Sequence, residues 1–174
     1  LPAGPTGSVV GLGTAGQPVE LIDALPDLGA RDLVMVNNNA GNGKTGLAAL
    51  LGAGRGRKII CSFPRQADSE FFDGLYRAGE LELELVPQGT LAERIRAGGA
   101  GIASFFTPTA FGTVLAGGKE TRRIHGRDYV LEDALKADFA LVKAHLGERL
   151  GNLGHRKAAR HFGPLRAGAG TEAR

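Results

Sequence analysis

The sequence predicts an α/β fold: an open, mainly parallel sheet with helices on both faces and an added antiparallel hairpin. Three observations carry this. Short apolar runs at 8–10, 33–36, 58–63 and 80–86 alternate with stretches of helical spacing, up to the segment Leu91 to Arg96. Turn residues, above all glycine, separate every run from the next. Past residue 119 the pattern changes to two strand-like runs around Gly126, which read as a hairpin. A chain of 174 residues fits one domain and buries enough surface to need no staple. The expected organisation is a flexible N-terminus over 1–7, one domain over 8–165 and a disordered Gly/Ala-rich tail over 166–174.

Residues 8–10 form a short buried strand. Pro18 then opens a helix through Leu25, because a first-turn proline lacks only an N–H that had no partner there. Between them Gly11, Gly13 and Gly16 satisfy G-x-G-x-x-G, the dinucleotide fingerprint in form. That reading needs an acid at the end of the next strand for a ribose hydroxyl. The strand 33–36 ends in Asn37-Asn38-Asn39 instead, which argues against a nucleotide cofactor. Gly43-Lys44-Thr45 looks like the end of a P-loop, but the glycine required five residues earlier is Asn38, which argues against ATP.

A helix over 45–53 packs Leu47, Leu50 and Leu51, and 58–63 is the third strand. A loop follows, with Ser69 as the N-cap of a helix over 70–78 that Gly79 ends. The strand 80–86 alternates strictly, placing Glu80, Glu82 and Glu84 on a solvated face and out of contention as catalytic acids. Pro87-Gln88-Gly89 makes a turn, and a short amphipathic helix carrying Leu91 and Ile95 stops at Gly98-Gly99. The glycine-rich segment Gly99-Ala100-Gly101 and the apolar run through Phe105-Phe106 to Thr107 form an unusual connection. Backbone without Cβ atoms there would let a ligand approach closely. In the hairpin, runs 120–125 and 127–131 flank a single Gly126, with His125 exposed beside the turn. Residues 139–142 form a last buried strand, Gly151 to Leu153 a turn, and Arg156 to Phe162 a short basic helix.

The single cysteine, Cys61, lies in an apolar run and is expected to be a buried, inert thiol; the chain cannot form an internal disulfide, which suits a reducing cytoplasm. No basic stretch followed by an apolar one opens the chain, and no run approaches the ~20 apolar residues that span a bilayer. A net charge of +3 with no aromatics interleaved among the basic clusters makes nucleic acid a poor partner.

Two stretches carry a resemblance. PQGTLAERIRAGGAG, starting at Pro87, followed by FFTPTAFGT, starting at Phe105, is similar to the signature region of the A-type polypeptide of family I CoA-transferases. The glycine loop before Pro18 resembles that family's G-G-F-G-x-x-G-x-P, with Val10 in place of the first glycine and Leu12 in place of phenylalanine. Asn38 and Asn39 match its N-N-A-G turn. Elsewhere Ala110, Leu150 and Gly154 depart from the family pattern, and the family continues beyond both ends of this chain.

The resemblance implies a relay in which a glutamate carboxylate attacks an acyl-CoA thioester, with CoA as substrate and no cofactor or metal. It places that glutamate on a B subunit, so the expected assembly is an A2B2 heterotetramer. Gln88 maps onto the oxyanion-hole glutamine that the A-type polypeptide supplies. Asn38, Asn39, Arg65, Gly99, Ala100, Gly101, Phe105 and Thr107 are the implied substrate-binding residues, with Gly11, Gly13 and Gly16 forming a loop near them. The loop Ser62 to Asp68 resembles the branch acting on 3-oxoadipate in aromatic catabolism, with succinyl-CoA as donor. There Arg65 would grip the distal carboxylate with its planar fork. Two other readings stay open: the branch acting on 3-oxobutanoate, and a diverged A-type chain serving only as an interaction domain.

Overall fold

The computed structural model describes residues 16–155 in full and the backbone of 6–9 and 170–173. Gly11, Gly13, the altered positions Val10 and Leu12, and the expected basic helix from Arg156 lie outside the described residues.

Among the described residues the main sheet has six strands: β1 (Thr6–Val9), β2 (Leu33–Val36), β3 (Gly56–Cys61), β4 (Glu82–Leu85), β8 (Ala137–Leu141) and β11 (Gly170–Ala173). Their order is β11-β8-β1-β2-β3-β4, and every pairing is parallel. Among the described residues, four α-helices connect or cover them: α1 (Val19–Asp23), α2 (Leu47–Gly52), α3 (Glu70–Ala78) and α4 (Gln88–Ala100).

Strand alternation divides the core. Leu33, Met35, Ile59 and Cys61 point to one face and pack with Ile22, Leu47, Leu50, Leu51 and Phe72 of α1, α2 and α3. Val34, Val36 and Ile60 point to the other, where Leu91 and Ile95 of α4 cover them. A strand buried on both faces reads as an unbroken apolar run, which is why β2 is wholly buried. The predicted sheet with helices on both faces is the observed one.

A second sheet has three antiparallel strands, in the order β5-β7-β6: β5 (Ser104–Thr107), β6 (Thr121–Ile124) and β7 (Arg127–Asp133). The expected hairpin is β6–β7, and the run holding Phe105 and Phe106 joins it as a third strand. The turn takes two residues, not one: His125 and Gly126 both have positive φ, 50° and 80°. That is the twist a right-handed ribbon needs. A two-residue ladder, β9 (Leu146–Gly147) with β10 (Leu153–Gly154), surrounds the predicted turn at Gly151.

Four expectations need correction. The tail does not lack structure throughout, since Gly170–Ala173 runs as β11 alongside β8; parallel backbone pairing asks nothing of these side chains. Ser69 stands at the start of α3 but makes no capping bond; its hydroxyl accepts from the Gln66 amide at 2.6 Å instead.

Glu84 is not simply solvated. Its carboxylate meets Lys58 Nζ at 2.9 Å and Arg94 Nη1 at 2.8 Å. Arg94 also donates through Nε to the Asp133 carbonyl and lies 4.0 Å from the buried Glu132, which Lys119 pairs at 2.6 Å. These contacts clasp α4 between the two sheets. Burial disfavours a charged Glu84, but the hydrogen bonds from Arg94 and Lys58 outweigh it and hold the carboxyl below its ordinary value. A carboxyl whose folded pKa is depressed contributes stability above its unfolded pKa, about 4.3. That contribution is lost as pH falls through the lower folded value. Thermal melts from pH 6 to 3 should therefore show wild type losing Tm faster than Glu84→Gln below about pH 4.3.

The fourth concerns α4, which does not stop at Gly98-Gly99. It runs on to Ala100 and closes at Gly101 in the left-handed conformation, φ 74°. Gly98 is there for a close approach: a Cβ at this position would sit 2.3 Å from the Leu135 carbonyl oxygen. Leu135 N also donates to Arg94 O at 2.8 Å, so that segment cannot simply retreat. Gly98→Ala should destabilise by about 1–3 kcal/mol, the usual cost of overpacking. It should do so despite alanine's better helix propensity, worth about 1 kcal/mol. Urea unfolding measures it, and a stabilised variant would contradict the packing argument.

Candidate active site

Where β2 ends, the chain does not turn away at once. Asn37 N donates to Ile60 O at 3.1 Å, and the Asn38 carbonyl accepts from both Ser62 N and Phe63 N, at 3.1 and 3.0 Å. The asparagines therefore prolong the strand along β3 at the sheet's carboxyl edge, where open α/β sheets bind ligands. The three are buried, at 0%, 4% and 0% exposure. Asn37 Nδ2 donates to Asn39 O, and Asn39 Oδ1 accepts from Gly41 N, each at 2.9 Å. Gly41 turns the chain with φ 93°, and a Cβ there would lie 2.5 Å from Ala48 N.

The second wall is the start of α4. Pro87 stands as N-cap with φ −54°, and Gln88 is the first helical residue, half-buried. Its Nε2 donates to Asn38 Oδ1 at 2.9 Å. Three polar atoms nearby in the chain are buried with no partner among the described residues: Asn39 Nδ2, Ser62 Oγ beyond β3, and Thr90 Oγ1 in the first turn of α4. The ends of β2 and β3 and the first turn of α4 carry Asn37, Asn38, Asn39, Ser62, Gln88 and Thr90, all polar and uncharged, and the Gln88–Asn38 bond joins the two segments. Such a surface can receive negative charge on an oxygen without reorganising. Among the described residues it holds no carboxylate or thiol, and no base hydrogen-bonds the Ser62 or Thr90 hydroxyl to activate it as a nucleophile.

Of the candidate residues, Gln88 and Asn38 meet in a hydrogen bond, with Asn39 next in the chain; the other candidates are placed elsewhere. Gly99, Ala100 and Gly101 lie at the far end of α4, and 11 residues of helix at 1.5 Å rise set Gly99 about 16 Å from Gln88. Phe105 and Thr107 are half-buried in the second sheet, paired with Glu132 and Val130 of β7. Thr107 Oγ1 accepts from Thr109 N at 3.2 Å. Arg65 sits in an exposed loop with Nε on Asp73 Oδ1 at 2.7 Å, an edge of the guanidinium that leaves its two Nη groups to other acceptors. Gly16 lies in the turn before Pro18, with φ 77°.

Sequence reasoning missed Ser62, Thr90 and Gln17. Gln17 is 3% exposed and its Oε1 accepts from Leu47 N at 3.5 Å, tying the glycine-loop end to α2. A polar residue directly after a strand was the available signal for Ser62.

Other reactive groups are held out of play. Cys61 is fully buried and burial pushes its thiol up to about 12. His125 is exposed in the β6–β7 turn. Among the described residues, no group of three or more His, Cys, Asp and Glu side chains could hold a metal ion. No helix among them is long and apolar enough to cross a membrane.

The chain matches the family model described as Coenzyme A transferase over residues 5–174. It belongs to the coenzyme A transferase family. It is 65% identical over 170 residues to the A polypeptide of 3-oxoadipate CoA-transferase from Pseudomonas putida, covering 98% of this chain and 74% of that protein. It is 51% identical to the A polypeptide of succinyl-CoA:3-ketoacid coenzyme A transferase from Xanthomonas campestris pv. campestris (strain B100), covering 96% of this chain and 68% of that one. Among solved structures, glutaconate coenzyme A-transferase from Acidaminococcus fermentans superposes with TM-score 0.84 at 16% identity, over 98% of this chain and 61% of its own. The decarboxylase AibA/AibB superposes with TM-score 0.82 at 22% identity, over 99% and 68%. These two likenesses establish the fold of a coenzyme A transferase and nothing finer, since one such fold hosts more than one chemistry.

Proposed function

We propose that this chain is the A half of a CoA-transferase that moves CoA from succinyl-CoA to 3-oxoadipate, within the β-ketoadipate route of aromatic catabolism in the cytoplasm. Its partner is a B subunit in an A2B2 heterotetramer, and CoA is substrate rather than cofactor. The observation that carries this is the Gln88–Asn38 amide pair on an uncharged ledge. It is suited to an oxyanion, and neither of the two amides is a nucleophile toward a carbonyl.

The resemblance supplies the other half. A partner glutamate carboxylate attacks the succinyl-CoA carbonyl, expelling CoA thiolate and leaving a mixed anhydride. The thiolate attacks the glutamyl carbonyl of that anhydride, releasing succinate and leaving CoA on the glutamate as a thioester. The carboxylate of the 3-oxo acid then takes the acyl position through the same two steps in reverse. Each step passes through a tetrahedral oxyanion, and in this reading Gln88 receives that charge in all of them.

The higher identity to the 3-oxoadipate relatives favours that acceptor over 3-oxobutanoate. In this reading Arg65, its guanidinium oriented by Asp73, meets the distal carboxylate that both succinate and 3-oxoadipate carry. With the B subunit present, Arg65→Ala should raise KM for 3-oxoadipate roughly tenfold or more, as loss of one charged partner does. Turnover with 3-oxobutanoate should stay almost unchanged. Equal damage to both acceptors would make Arg65 structural, and a preference for 3-oxobutanoate in the unaltered enzyme would overturn the acceptor assignment.

A further inference from the structure

We propose that Asn38 is a positioning residue, the group that decides which end of the Gln88 amide faces the substrate. This rests on the reading of Gln88 as the oxyanion donor.

A glutamine side chain is long, and its terminal torsion is broad and nearly two-fold. Left alone, Gln88 would present its carbonyl about as readily as its amino group, and a carbonyl oxygen facing an oxyanion repels it. Asn38 Oδ1, at 2.9 Å from Gln88 Nε2, removes that ambiguity, since only an N–H donor is welcome there. Nε2 carries two hydrogens, so one is spent on Asn38 and the other is held at a fixed angle for the reacting oxygen.

The holder must itself be rigid, and it is. Asn38 is 4% exposed, its backbone carbonyl is pinned by Ser62 N and Phe63 N, and its neighbours are locked by Asn37 Nδ2 on Asn39 O, so the main chain that carries the Asn38 amide is fixed. The contact spans 50 positions in sequence, so it joins α4 to the end of β2 at the site. Among the described residues Ser62 Oγ and Thr90 Oγ1 make no hydrogen bond, so neither competes for the Gln88 amide.

The test is a double-mutant comparison in the assembled transferase with saturating succinyl-CoA. Asn38→Ala should lower kcat about 10- to 100-fold, the scale of a misplaced catalytic group, with donor KM nearly unchanged. In a Gln88→Ala background the same change should lower kcat by less than about twofold, because the group it positions is already gone. Asn38→Leu, which keeps the branching of the side chain but offers no acceptor, repeats the comparison if the alanine variant does not assemble. Should the two losses multiply after a deep fall in Gln88→Ala, Asn38 acts independently and the inference fails alone. A near-normal kcat in Gln88→Ala overturns the oxyanion reading and this inference with it.

Discussion

In the assembled transferase, Gln88→Ala lowers kcat about 10²–10³-fold, equivalent to ~2.7–4 kcal/mol of lost oxyanion stabilisation. Binding of the acyl-CoA donor changes little, because the donor's ground-state carbonyl carries only a fraction of the charge that develops in the tetrahedral intermediate. The competing explanation is that Gln88 merely caps α4. Its geometry disfavours that: Pro87 is the N-cap, no side-chain capping bond is made, and Nε2 reaches across to Asn38. A lost cap would cost about 1 kcal/mol of stability and leave kcat alone. Steady-state kinetics beside a thermal melt separate the two, and a lowered Tm with normal turnover would end the catalytic role.

The isolated chain should show no transferase turnover at all. A nucleophile must be uncovered and activated. Here Cys61 is buried with its thiol held protonated, Glu84 lies between Lys58 and Arg94, and Glu132 is buried against Lys119. Each of these groups is already engaged in holding the fold. Titration with a B subunit should restore activity in proportion to partner added, until the two are stoichiometric. Turnover by the purified chain alone would contradict this.

Much of the architecture was legible because it is local. The bounds of β2 and α3 follow from an unbroken apolar run and from Gly79 in the left-handed conformation at the helix end. The errors come from distant partners. Gly98 reads as a helix stop until Leu135 is seen pressed against it, and nothing near Gly98 encodes that approach. Glu84 reads as solvated by alternation, but Arg94 reaches back from the next helix to hold it. Ala110 takes φ 69°, at a departure from the family pattern that favours glycine, and such backbone costs a β-carbon about 1–2 kcal/mol. Residues 170–173 look too plain to be ordered, yet backbone pairing with β8 orders them.

The site was legible in part. Gln88 and the asparagines stood out through resemblance, but their mutual hydrogen bond joins segments that no local pattern connects. The glycine-rich end of α4 was grouped with them through the same resemblance and was expected to lie beyond the helix. A continuous helix carries it about 16 Å away.

The most direct measurement is where CoA becomes attached. The transferase, assembled from this chain and its B subunit, is incubated with succinyl-CoA without acceptor, and each polypeptide is weighed by mass spectrometry. The expected result is the CoA thioester on a glutamate of the B subunit, this chain at its unmodified mass, and much slower appearance of the adduct in Gln88→Ala. CoA bound covalently to this chain would contradict it.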